Sequence, residues 1–142
     1  LYNSIQLRRP EGVEMTLDAC PDIIFNIDRN RLWQICMNLL TNAVKHTKKG
    51  SIWFGYTLEA EEKMIKFYVS DTGCGIPKDE LDNIFARFVQ LSDFEQGIGL
   101  GLAICKGLVL KMGGNISVMS EEGFGSTFIF TLPMKRPNSW KN

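Results

Sequence analysis

Arg31-Leu32-Trp33-Gln34-Ile35-Cys36-Met37-Asn38-Leu39-Leu40-Thr41-Asn42-Ala43-Val44-Lys45-His46-Thr47 is the stretch on which the fold turns. Set on a helix at about 100° per residue, Leu32, Trp33, Ile35, Cys36, Met37, Leu39, Leu40, Ala43 and Val44 cover most of the circumference. Arg31, Gln34, Asn38, Thr41, Asn42 and Lys45 are left as a narrow polar stripe. A solvated stripe ordinarily carries Lys and Glu, yet no Asp or Glu stands between Asp28 and Glu59. Gln34, Asn38 and Asn42 follow one another at i, i+4, i+8, so their amides stack on one face. Asparagine favours caps and turns, and two in mid-helix need a reason. Two readings are open. The amides satisfy buried backbone groups, or they form a polar ligand site. An amide oxygen is a hard neutral donor suited to Mg²⁺, which keeps substrate phosphates in its shell. Lys45, one turn beyond Asn42, would then meet phosphate.

Outward from this helix, Asp28 or Asn30 sits where an N-cap belongs, and Lys48-Lys49-Gly50 closes a helix of about 30–47. Residues 13–18 and 22–27 are strand-like, with Val13, Met15 and Leu17 alternating with polar neighbours. Strands are predicted at 51–58 and 64–70, joined by an acidic turn. Glycines and Pro77 break the chain at 73–77. A second helix is predicted at 78–90, where Leu81, Ile84, Phe85 and Phe88 have helical spacing, followed by a loop over 91–99. A third helix covers 100–112 and is stopped by Gly113-Gly114. Strands at 115–120 and 126–132 flank a glycine turn. Helices and strands in mixed order, with hairpins, predict a mixed sheet with helices on one face.

Three glycine clusters punctuate this pattern. Asp71-Thr72-Gly73-Cys74-Gly75-Ile76-Pro77 follows an apolar strand. A carboxylate at a strand end before two glycines permits close backbone approach to a flat ligand, or simply caps a turn. Gly97-Ile98-Gly99-Leu100-Gly101-Leu102 leads into a helix, whose N-terminus attracts phosphate. It is neither the dinucleotide fingerprint nor a P-loop, since no strand precedes it and no Gly-Lys-Ser/Thr appears. Gly123-Phe124-Gly125-Ser126-Thr127 reads by itself as a hairpin turn.

The 142 residues fit one domain. With 16 basic and 16 acidic residues the chain is balanced, which argues against nucleic acid or an acidic membrane as main partner. No apolar run approaches the roughly 20 residues of a membrane helix, and the chain is cytosolic in character. The four cysteines form no C-x-x-C, and with a single histidine a zinc site is not expected.

Taken in order, these pieces resemble the catalytic ATP-binding domain of bacterial sensor histidine kinases. Asn38 to Thr47 matches that family's N box, Asp71 to Pro77 its first glycine box and Phe85-Ala86-Arg87-Phe88 its phenylalanine box. Gly97 to Ile104 and Gly123 to Phe128 match the second and third glycine boxes. The resemblance spans about 25–132 and implies the Bergerat fold: an α+β two-layer sandwich, a mixed sheet backed by about three helices. It implies a domain at 13–135, a lead-in over 1–12 from a preceding helical dimerisation domain, and a tail or linker at 136–142.

The same resemblance implies a site. Asp71 would accept from the adenine amino group, Gly73 and Gly75 would border the base, and Thr127 would support the adenine end. Asn42 would coordinate Mg²⁺, with Asn38 and Lys45 on the phosphates. Gly97, Gly99 and Gly101 would cradle the triphosphate under a lid at about 89–99. His46, Ile76, Leu100 and Leu102 belong to the same nucleotide-binding set, and Arg87 joins Asn38, Asn42 and Lys45 in the catalytic one. ATP and Mg²⁺ are the implied cofactors. The implied activity is transfer of the γ-phosphate to a histidine on a separate dimerisation domain of the same kinase, with a response regulator or receiver domain downstream. The parent kinase would be membrane-anchored, with this monomeric domain in the cytoplasm. Departures are His46, where Tyr or Phe is common, and Gln90, where a second basic residue is frequent. Asn38 stands where related ATPases use a glutamate base, so hydrolysis is disfavoured; no acceptor His-Glu or His-Asp pair is present. His46 as acceptor, a nucleotide-binding module without transfer, and a serine kinase of the anti-sigma type are the alternatives.

Overall fold

The computed structural model describes residues 11–18, 27–59, 61–86 and 98–134, with backbone alone for 98–100. The expected strand at 22–27 lies almost wholly outside them. Among the described residues eight elements follow one another: β1 (Val13–Leu17), α1 (Arg29–His46), β2 (Gly50–Glu59), β3 (Met64–Asp71), a 3₁₀ turn (Leu81–Asn83), α2 (Ile98–Lys111), β4 (Asn115–Glu121) and β5 (Gly125–Pro133).

Asp28 starts α1. Its carboxylate accepts the backbone N–H of Asn30 at 3.0 Å and of Arg31 at 3.2 Å, two of the donors a helix start leaves open. Ile35, Leu39, Leu40 and Ala43 are fully buried, as the wheel predicts, but Trp33 is 49% exposed and belongs to the outer face. α2 ends in a Schellman turn: Gly114 N–H reaches Val109 O at 2.9 Å across Gly113, whose φ of 86° suits glycine.

The five strands form one mixed sheet in the order β1-β2-β3-β5-β4. Among the described strands only β1 and β2 run parallel, with α1 in their crossover. Pairing puts Val69 beside Phe128, Phe67 beside Phe130 and Ile65 beside Leu132 on one face. Residues alternate across the sheet, so this face carries the core with Val13, Met15 and Ile52, and α1 and α2 cover it. Phe67 and Phe130 stack at 4.7 Å between ring centroids. Each fully buried Leu, Ile or Phe side chain contributes about 1.5–3 kcal/mol.

The architecture is the expected α+β sandwich, with one correction. Among the described residues two α-helices, not three, back the sheet. Where a helix is predicted over 78–90, residues 78–86 form consecutive tight turns. Glu80 N–H bonds Pro77 O at 2.9 Å, Asn83 N–H bonds Glu80 O at 3.1 Å and Ala86 N–H bonds Asn83 O at 2.9 Å. All are i to i−3 bonds. Asp79, Asp82 and Asn83 are poor helix formers, and no side chain caps the segment at Glu80. Phe85 still docks, its ring edge-on to Phe128 at 6.1 Å.

Candidate functional site

β3 ends on a buried carboxylate. Asp71 pairs with Ile52 on one side and Ser126 on the other, so it faces the helix layer at the end of the sheet. It is 6% exposed, and its Oδ1 accepts Gly73 N–H at 2.9 Å. Burial pushes its pKa above the ordinary carboxylate value, against the backbone N–H groups of Gly73 and Ser126 that stabilise the charge. A buried acceptor held this way is ready to take a donor from a ligand.

The first glycine cluster crosses the site as a strap. Cys74 N–H bonds His46 O at 3.2 Å at the end of α1, and Cys74 O receives Gly123 N–H at 2.7 Å from the β4–β5 turn. Gly75 has a φ of 71°, and a Cβ there would collide with the Glu121 carbonyl. Glycine is therefore required twice over at that position. Ile76 N–H is taken by Ser120 Oγ at 2.8 Å.

Between strap, sheet and helices lies a pocket lined by Asn42, His46, Asp71, Gly75, Ile76, Ile84, Leu102 and Ser126. It thus brings together Asn42, His46, Asp71, Gly75, Ile76 and Leu102 of the expected set. His46 also borders an adjoining groove with Lys45, Lys48, Lys49, Thr72, Gly73 and Cys74. That groove is cationic and includes the expected Lys45 and Gly73.

The two asparagines of α1 behave differently. Asn38 Nδ2 donates to Gly101 O at 3.5 Å, a long bond that ties α1 to the first turn of α2. Asn42 is 9% exposed, and its Oδ1 is buried without a hydrogen-bond partner. An orphaned acceptor of this kind costs about 1–3 kcal/mol until something satisfies it. A hard cation held mainly by ligand phosphates fits it, because Mg²⁺ takes oxygen donors and few protein ligands. Among the described residues no cluster of three His, Cys, Asp or Glu side chains could hold a metal by itself.

Gly101 lies in the first turn of α2 with open space around its Cα, and Gly99 and Leu100 precede it in the helical backbone. Arg87 and Gly97, with the expected lid at about 89–99 as far as residue 97, lie outside the described residues. Thr127 is on the other face of the sheet. Its Oγ1 is 2.8 Å from Ser70 Oγ, and it borders an open hollow with Met119 and Phe124 that Asp71 and Ser126 also line. Strand alternation gives the place beside Asp71 to Ser126 instead. Ser126, Ser120 and Ile84 are not assigned to the site by the sequence motifs. Counting back by twos along β5 from the apolar Leu132, Phe130 and Phe128 leads to Ser126 on the core face.

A sheet end with a buried carboxylate, an oxygen-bearing helix across from it and a glycine strap between define an ATP-binding fold of the sandwich type. The comparisons agree: residues 27–136 match the family described as "Histidine kinase-, DNA gyrase B-, and HSP90-like ATPase", and the chain belongs to it. It is 41% identical to hybrid signal transduction histidine kinase B of Dictyostelium discoideum over 98% of this chain and 8% of that protein. Identity to the aerobic respiration control sensor protein ArcB of Escherichia coli K12 is 46%, over 85% of this chain and 16% of ArcB. The chain thus spans only a small part of the curated relatives it matches. Full-length ShkA in complex with AMPPNP superposes with a TM-score of 0.83 at 34% identity, covering 96% of this chain and 29% of that one. The mycobacterial sensor histidine kinase MprB gives 0.81 at 26% identity, over 96% and 92%.

Proposed function

We propose that this chain binds Mg·ATP in the pocket between Asp71 and Asn42 and presents the γ-phosphate to a histidine on a separate dimerisation domain of the same kinase. The observation that carries the reading is the pairing of a buried carboxylate at one end with an unsatisfied amide oxygen at the other. In this reading Asp71 accepts from the adenine amino group, and Ser126 stands beside it at the base edge. Gly73, Gly75 and Ile76 border the base, and Leu102 closes the apolar side with Ile84. Asn42 holds Mg²⁺, which when bound neutralises phosphate charge. Lys45, Asn38 and Arg87 supply further positive charge and donors, and His46 walls the pocket. The first turn of α2, with Gly99, Leu100 and Gly101, offers backbone N–H groups to the triphosphate, and Gly97 belongs to the same phosphate-binding set by the family motif.

Phosphoryl transfer is largely positioning and charge stabilisation. α1 carries no carboxylate, so this chain has no base on that helix to activate water, and ATP keeps its γ-phosphate until a better nucleophile arrives. In this reading the domain works in the cytoplasm, where ATP is found, the acceptor histidine belongs to the same parent kinase, and a response regulator or receiver domain lies downstream. Titration calorimetry of the chain with ADP and Mg²⁺ at millimolar ligand tests the reading. Saturable heat at one site per monomer is expected; no heat would remove it.

A further inference from the structure

Ser120 lies outside every motif that marks the site, yet it joins three of its parts. Its Oγ accepts Ile76 N–H at 2.8 Å, lies 2.8 Å from Ser126 Oγ and reaches Gly125 O at 2.9 Å. One hydroxyl has one proton and can accept twice. If Ser120 gives its proton to Gly125 O, the bond between the two hydroxyls must use the proton of Ser126. Ser126 then faces the pocket as an acceptor, beside a carboxylate that is also an acceptor. If Ser120 gives its proton to Ser126, the Ser126 proton is released toward the pocket. The carboxylate and the hydroxyl then present an acceptor and a donor side by side.

We propose that Ser120 is the positioning residue of the base site: through Ser126 it sets a hydroxyl donor beside the Asp71 acceptor. This rests on the adenine reading above. The Watson–Crick edge of adenine offers an amino donor next to the bare ring nitrogen N1, and the second proton arrangement complements that pair. Binding adenine therefore selects the arrangement in which Ser120 donates to Ser126. Ser120 touches no ligand atom; it acts by holding the Ser126 rotamer and consuming its acceptor side. Because Ser120 also takes Ile76 N–H, the same atom fixes the strap against β4.

The test compares ADP with 1-deaza-ADP, in which N1 is replaced by C–H, by calorimetry on the whole chain with Mg²⁺. The wild type should prefer ADP by about tenfold, the worth of one hydrogen bond. Ser126→Ala should erase the preference. Ser120→Ala should shrink it to within about threefold, and Ser120→Thr, which keeps the hydroxyl, should restore it. A purely structural Ser120 would weaken both ligands equally in Ser120→Ala and leave the ratio intact, which would overturn the proposal. So would a wild type that binds ADP and 1-deaza-ADP alike, while leaving the adenine reading standing. Absence of ADP binding in the wild type would fell the adenine reading itself. Should Ser120→Ala fail to fold, Ser120→Cys keeps the volume with a weak donor and carries the same ratio test.

Discussion

At the Asp71 end of the pocket the fold supplies partners of its own. Gly73 N–H rests on the carboxylate, Ile76 N–H on Ser120, and Gly123 N–H on Cys74 O. At the Asn42 end a buried amide oxygen has no partner, and lysines line the adjoining groove. One end is finished before a ligand arrives, and the other is completed by it. Recognition of a flat base needs fixed acceptors and donors, whose pre-ordering saves entropy on binding. A charged phosphate chain brings its own oxygens and cation, so the protein need only leave a place for them. Under the proposed reading, damage to the first end costs affinity, and damage to the second costs transfer.

The largest effect expected from breaking this contrast is at Asn42. With the parent's helical domain supplied separately, γ-phosphate label should appear on that domain and not on this chain. Asn42→Ala should cut that transfer by about a hundredfold or more, since losing even an outer-shell partner of a metal costs up to about that much. The ligand-free chain should not melt lower through a lost hydrogen bond, because Asn42 Oδ1 makes none. Normal transfer by a folded Asn42→Ala protein, or label on His46, would break the assignment of this end.

A smaller effect belongs to Asp71. Asp71→Asn replaces one acceptor by a donor facing the adenine amino group and should cost about 1.5–3 kcal/mol, ten- to a hundredfold in ADP affinity. Unchanged affinity would move the base elsewhere in the pocket.

The smallest is a pH effect with opposite signs. Burial holds the Asp71 carboxyl above its ordinary 3.8, so the folded chain grips that proton more tightly than the unfolded one. Its contribution to ligand-free stability is therefore highest below the ordinary value. That contribution falls as pH rises to the raised folded value and is flat beyond. Adenine binding needs the carboxylate and should strengthen over the same window. Melting curves of wild type against Asp71→Asn, with and without ADP, give both slopes. Parallel slopes would mean that the carboxylate does not meet the ligand.

Much of this was legible in the sequence because it depends on local rules. The bounds of α1 follow from Asp28 and the apolar wheel, and Asp71 was marked by the strand it terminates and the glycines after it. Less legible is what a distant partner decides. Thr127 and Ser126 are indistinguishable as neighbours in a glycine-flanked strand. Only the register against Asp71 tells which faces the helices, and a slip of one residue reverses the answer. The segment at 78–86 misled because Leu81 and Ile84, three apart, suit a 3₁₀ turn as well as a helix. Ser120 was invisible because its importance lies in three bonds to other segments and none to its own strand's pattern.

The strand order has a consequence for how the chain acquires its pocket. Hairpins β2–β3 and β4–β5 close over short turns and can form early. The parallel β1–β2 pair, which seats the helix bearing Asn42, and the β3–β5 pair, which sets Ser126 against Asp71, both join stretches far apart in the chain. Such closures come late and limit folding rates. The pocket is thus among the last features to assemble: one hairpin carries Asp71 and the other the Ser120–Ser126 pair, and neither alone brings both together. A nascent or partly unfolded chain would hold no nucleotide, so occupancy certifies a finished molecule.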